Sequence, residues 1–169
     1  MKKLFVIALV LGFGFKVQAQ NAENKLENKS EPITGVWSLA AVENINPDGS
    51  KTLPYGNDPN GLLIFDTSGR YAIQILKAIR PKVAAGDKNK ATPEENAALV
   101  QGNNSHFGRY SVDETNRTIT FQVEHAFYPN WEGTVQVRSY TMKDNELKYI
   151  VTQTTNGGAV TAVVVWRKK

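Results

Sequence analysis

The 169-residue chain has no cysteine, which excludes a disulfide framework, a thiolate zinc site, an iron–sulfur cluster and a cysteine nucleophile. Histidine is almost as scarce: His106 and His125 are the only two, so any imidazole chemistry falls on them. Patterns of the G-x-S-x-G, Walker, Rossmann and H-E-x-x-H kinds are absent. No apolar run reaches the roughly 20 residues that a membrane-spanning helix needs. A large excess of one charge is missing too, with 20 basic against 16 acidic side chains. What is present is ordinary globular composition, with 41% hydrophobic and 21% charged residues, at a length suited to one domain.

Residues 1–19 have the layout of a secretory signal peptide. Met1-Lys2-Lys3 supplies the charged start, Leu4 to Phe15 the apolar run, and Val17-Gln18-Ala19 the small-residue exit. Cleavage after Ala19 would remove Lys2, Lys3 and Lys16 and leave 17 basic against 16 acidic side chains. No basic stripe survives to serve a nucleic acid. No cysteine follows the apolar run for lipidation, so the reading is an exported protein, periplasmic or secreted, without stable membrane insertion. Residues 20–32, rich in Asn, Glu and Lys, read as a polar leader. The remaining 33–169 form the domain.

In that domain, short apolar or alternating runs are separated by turn signals. The expected strands are Val36–Val42, Gly61–Asp66, Arg70–Leu76, His106–Val112, Thr118–Phe127, Thr134–Met142, Leu147–Thr154 and Ala159–Arg167. Eight strands joined mostly by tight turns predict an all-β, antiparallel barrel or sandwich. Asp66-Thr67-Ser68-Gly69 is a hairpin turn closed by a glycine bulge, which sets Phe65 opposite Tyr71. The loop at 114–117 sets Val112 opposite Ile119, Tyr110 opposite Phe121, and His106 opposite His125. The turns near Asp144-Asn145 and Asn156-Gly157 set Tyr140 opposite Tyr149 and Tyr149 opposite Val164. One short helix interrupts the pattern between the third and fourth strands. There Thr92-Pro93-Glu94-Glu95 is a capping box and Gly102 a stop.

Gly35-Val36-Trp37 at the first strand resembles the G-x-W signature of lipocalins. More broadly, Gly35 to Trp166 is similar to the bacterial and fungal lipocalin-like domain family. The matching segments include Pro54-Tyr55-Gly56, Pro59-Asn60-Gly61, Arg80-Pro81, Phe107-Gly108 and, most densely, Phe127-Tyr128-Pro129-Asn130-Trp131. The resemblance implies an eight-stranded up-and-down antiparallel barrel, related to the calycins, with a small-molecule cavity. It also implies that an arginine near the chain end packs over Trp37, a role for which Arg167 is the candidate.

The registers collect an inward set that is mostly aromatic and aliphatic, with His106, His125, Gln136, Arg138 and Gln153 among it. The candidate ligand-binding residues are Tyr71, Ile73, His106, Tyr110, Phe121, His125, Trp131, Arg138 and Tyr140. Apolar walls with a few convergent polar groups suit a small molecule. Arg138 is the sharpest of them, because a guanidinium stays charged and offers a planar fork to a carboxylate. Its alternatives are a solvated place at a barrel mouth or pairing with Glu124 or Glu132.

The partner expected is therefore a small hydrophobic or amphipathic ligand with an anionic or polar end, and no cofactor or metal. Tyr71, Ile73 and Phe121 would contact the ligand's body. Two other readings stand beside this one. In the first, an isomerase, cyclase or hydrolase uses the barrel histidines as acid and base. In the second, a filled barrel works through its loops, which a cavity under about 100 Å³ would favour because ligand pockets run from about 300 Å³.

Overall fold

Alternating burial makes each strand what it is. In the computed structural model, which describes residues 33–152, 154 and 159–169, β1 (Gly35–Ile45) buries Trp37, Leu39, Val42 and Asn44. A two-residue strand, β2 (Lys51–Thr52), pairs with its end. Then follow β3 (Asn60–Phe65), β4 (Arg70–Leu76), helix α1 (Pro93–Gln101), β5 (Asn103–Asp113), β6 (Thr118–Ala126), β7 (Val135–Lys143), β8 (Glu146–Val151) and β9 (Thr161–Lys168). Every neighbouring pair from β3 to β9 is antiparallel, and β1 pairs with both β3 and β9. The eight long strands thus close into a barrel, each bonded to a neighbour on both sides over at least part of its length. The expected signal peptide and leader, Gln153 and the Asn156-Gly157 turn lie outside the described residues.

The helix forms by the chemistry its sequence announces. The Thr92 hydroxyl accepts from Glu95 N at 3.2 Å, and the Glu95 carboxylate accepts from Thr92 N at 2.9 Å. It follows the fourth strand and not the third. The reason is β2, too short for any alternation to reveal, which takes second place in chain order. None of its residues is buried, so α1 adds nothing to the barrel's interior.

Hairpin registers follow turn chemistry. Gly69, at φ 82°, closes the turn that sets Phe65 against Tyr71. Tyr110 meets Phe121, Tyr140 meets Tyr149, and Tyr149 meets Val164. One register departs from expectation. Gly108 pairs with Val123 but Phe107 pairs with His125, so Glu124 is a bulge. His106 therefore faces Ala126 and not His125, which the bulge turns to the outer surface. Gly108 permits this: a Cβ there would run into the backbone of Gln122 and Glu124.

The core fills one end of the barrel. Trp37, Leu63, Phe65, Ile119, Phe121, Leu147, Tyr149 and Trp166 are essentially inaccessible. Trp37 Nε1 donates to Ile33 O at 2.9 Å, fastening the incoming chain across that end. The cation over the Trp37 ring is Lys168, 5.3 Å from its centroid, and not Arg167. Alternation explains the exchange: Trp166 points inward, so Arg167 points out, where it lies 3.8 Å from Glu146.

Candidate functional site

At the other end, β1 and β8 finish while β5 and β7 begin, and the side chains thin out around a polar hollow. Arg138 on β7 is only 6% exposed and points inward. Its guanidinium carbon stands 4.6 Å from the Phe121 ring and 4.9 Å from the Tyr149 ring, and Nη2 donates to Gln136 Oε1 at 2.6 Å. Its Nε–H has no partner among protein atoms. Neither carboxylate considered from the sequence reaches it. Glu124 lies against Arg70 at 2.7 Å and Arg109 at 3.5 Å, and Glu132 is 3.5 Å from His125, all outside the wall.

His106 is the second buried polar group. Tyr71 Oη is 2.8 Å from its Nδ1. Burial pushes the Tyr71 phenol well up, so it keeps its proton and donates to Nδ1. Burial first, and the Arg138 charge second, push the His106 imidazole down to about 3. It is a neutral acceptor at ordinary pH and does not serve as a base near neutrality.

This has a measurable consequence. The unfolded imidazole takes up a proton below about 6.5 while the folded one resists until far lower, so the unfolded state binds more protons in between. Stability should then fall as pH drops from about 6.5 toward 3, by up to about 1.4 kcal/mol per unit from this residue. Urea midpoints across that window should decline more steeply for the wild type than for His106→Gln. Parallel curves would show that the imidazole is not held neutral.

The hollow beside Arg138 has a volume of about 90 Å³. Its polar lining includes Asn44, Tyr55, Asn104, His106, Gln136, Arg138 and Thr154. Asn104 Oδ1, like Arg138 Nε, is buried without a hydrogen-bond partner, and both residues line this space. A third buried orphan, Trp166 Nε1, lies at the filled end, away from it. Two larger concavities adjoin, one of about 400 Å³ beside β7 and β8 and one of about 260 Å³ between α1 and the 127–131 segment. Trp131 lines all three. A single 3-10 turn, Pro129–Trp131, sets the indole there, edge-on to His106 at 5.6 Å.

Of the residues singled out from the sequence, Ile73, His106, Trp131 and Arg138 line the hollow. Tyr71 and Phe121 stand behind it, holding His106 and Arg138, and do not line it. Tyr140 belongs to the packed core. Tyr110 is half-buried against Phe65 and donates to Asp66 O at 2.8 Å. His125 is on the outside, its side chain 66% exposed, so the two histidines do not form a pair. Tyr55, Asn44 and Asn104 were missed. Alternation carries a signal for Asn104, two residues before His106 on the same face; Tyr55 sits in a loop, where no periodicity applies.

Among the described residues, no three of His, Asp and Glu gather into a metal-holding group, and no helix is long and apolar enough to cross a membrane. No curated protein matches the chain. Residues 34–169 match the sequence profile of the lipocalin-like domain. The closed antiparallel barrel, its single helix and that match over most of the chain place the protein in the lipocalin-like domain family.

Proposed function

We propose that this protein is an exported binder of a small amphiphilic monoanion, whose head is received beside Arg138. The observation that carries the reading is the unpartnered Nε–H of a buried guanidinium that meets no carboxylate among the described residues, on a side chain that lines a hollow. Burying an unpaired charge costs several kcal/mol. Two aromatic faces, each about 2 kcal/mol when desolvated, and one amide hydrogen bond of about 1.5–3 kcal/mol offset much of this. They hold the cation in place without neutralising it, which leaves the pairing to a ligand. Asn104 Oδ1 supplies an acceptor for a hydroxyl or N–H on the same molecule. The signal-like residues 1–19 support export.

Size limits what enters. A hollow of about 90 Å³ is smaller than the roughly 150 Å³ that houses a benzene ring. It takes a carboxylate and its nearest atoms, so the ligand body stays outside the hollow and does not reach Tyr71 or Phe121. The same volume favours a second reading, the filled barrel acting through its loops, since it falls below the range of whole-ligand pockets.

Calorimetric titration with benzoate and its neutral analogue benzyl alcohol separates the two. The anion should bind once per chain, about tenfold or more tighter than the alcohol. Equal affinities, or no saturable binding of either, would favour the filled barrel. An acid–base enzyme gains nothing from this geometry, with one imidazole held neutral and the other outside.

A further inference from the structure

The barrel wall is unzipped in one place. Pairing between β7 and β8 runs only from Tyr140 opposite Tyr149 to Lys143 opposite Glu146. Yet β7 extends back to Val135 and β8 forward to Val151. On their other sides both strands stay paired through this stretch: Val135–Ser139 with β6, and Ile150 and Val151 with β9. The two strands therefore diverge while each remains anchored. The concavity of about 400 Å³ lies along the gap, and it shares Trp131, Gln136, Arg138 and Val151 with the inner hollow.

The mouth, by contrast, is tied down by main-chain hydrogen bonds. Ala78 N donates to Tyr55 O at 2.8 Å, Lys77 N to Gly102 O at 2.9 Å, and Phe127 N to Ser105 O at 2.7 Å. These bonds fasten the Tyr55 loop, the end of α1 and the aromatic segment to the strands beneath them. They hold the mouth segments in place, whereas among the described residues β7 before Tyr140 and β8 after Tyr149 share no ladder.

Resting on the reading of Arg138 as the anion receptor, we propose that the ligand enters sideways through the wall between β7 and β8 and leaves its body in that seam. The seam's volume falls in the about 300–1,000 Å³ range of small-molecule sites, which the hollow alone does not. Its lining specifies the body. The methyl groups of Val135, Val137 and Val151 and the face of Trp131 suit a ring or short chain, and the Thr134 and Thr152 hydroxyls tolerate polar substituents at its margin. The class is an aryl or short-chain carboxylate, head inward at Arg138 and body across β7.

The absence of native cysteine makes the test direct. Val137, 59% exposed, lines the seam; Val100, 56% exposed, lines the concavity at the mouth. Each is changed to cysteine and modified with a bulky pyrene maleimide, the unmodified variants serving as controls for folding and binding. Benzoate association is followed by stopped-flow tryptophan fluorescence. The Val137→Cys adduct should slow association about tenfold or more, and the Val100→Cys adduct should leave it within about twofold. A Val137 adduct that leaves the rate unchanged, or a Val100 adduct that slows it as much, overturns the sideways route. Failure of the Arg138 reading shows separately, before any label is attached, as no saturable benzoate binding by the wild type; that result overturns the route with it.

Discussion

Replacing Arg138 with methionine should cost benzoate binding about 2–5 kcal/mol, roughly 30-fold to several thousand-fold in affinity, while changing the free energy of unfolding by less than about 2 kcal/mol. The two halves of that expectation have one cause. In the free protein the guanidinium gains from Phe121, Tyr149 and Gln136 and loses by desolvation, terms of similar size and opposite sign. Methionine fills similar volume, keeps contact with both rings and removes the charge burial, so the apo barrel is little affected. Binding has no such compensation, because among the described residues no other cation lines the hollow to meet an anionic head. Urea unfolding and benzoate titration of the same variant supply both numbers. A loss of stability above about 3 kcal/mol with unchanged benzoate affinity would make Arg138 a structural residue.

The largest loss of stability is expected at the other end of the barrel. Trp37→Ala should lower the unfolding free energy by about 3–5 kcal/mol, as for other large aromatic truncations in cores. Trp37 is fully buried, its indole N–H holds Ile33 O, and its ring carries Lys168. Truncation thus opens a cavity and releases the chain that seals this end. Against a typical total of about 5–15 kcal/mol, that is from about a fifth to all of the stability. Arg167→Ala is the counterpart, expected within about 0.5 kcal/mol, because an exposed ion pair contributes little. Equal losses in the two variants would return the covering role to Arg167.

How far the sequence reached can be judged strand by strand. Five of the six expected pairings, Phe65 with Tyr71, Val112 with Ile119, Tyr110 with Phe121, Tyr140 with Tyr149 and Tyr149 with Val164, are the pairings the structure has. Each is separated by fewer residues along the chain than His106 and His125 are. The capping box likewise placed the helix start at Thr92. Failures lie farther from the turns. His125 is about as far along β6 from its turn as the strand allows, and the bulge at Glu124 intervenes. A glycine inside an expected strand was the available sign of that irregularity. The direction of the kink depended on which partner strand approached Gly108.

The candidate site divides along the same line. Arg138 faces inward because it alternates with Tyr140 and Met142 along β7, a relation contained in the sequence. That its charge meets two rings, one amide and no carboxylate depends on β6, β8 and the outer pairings of Glu124, which alternation along one strand does not address. The size of the hollow is a still more distant property. It is what remains after Tyr55 and Trp131, both from loops, have folded over the barrel end.

By itself the sequence determined the hairpin registers near the turns, where helix α1 begins, and most of the residues that face in, with Arg138 as the inward candidate among the charged ones. Period-two alternation and turn chemistry act over a few residues and survive any later packing. The tertiary structure alone decided that His125 lies outside, that Lys168 and not Arg167 covers Trp37, that the hollow measures only about 90 Å³, and that β7 parts from β8 beside Arg138. Each of these turns on where two segments distant in the chain meet, and a shift of one residue or one ångström at such a meeting leaves no trace in local pattern.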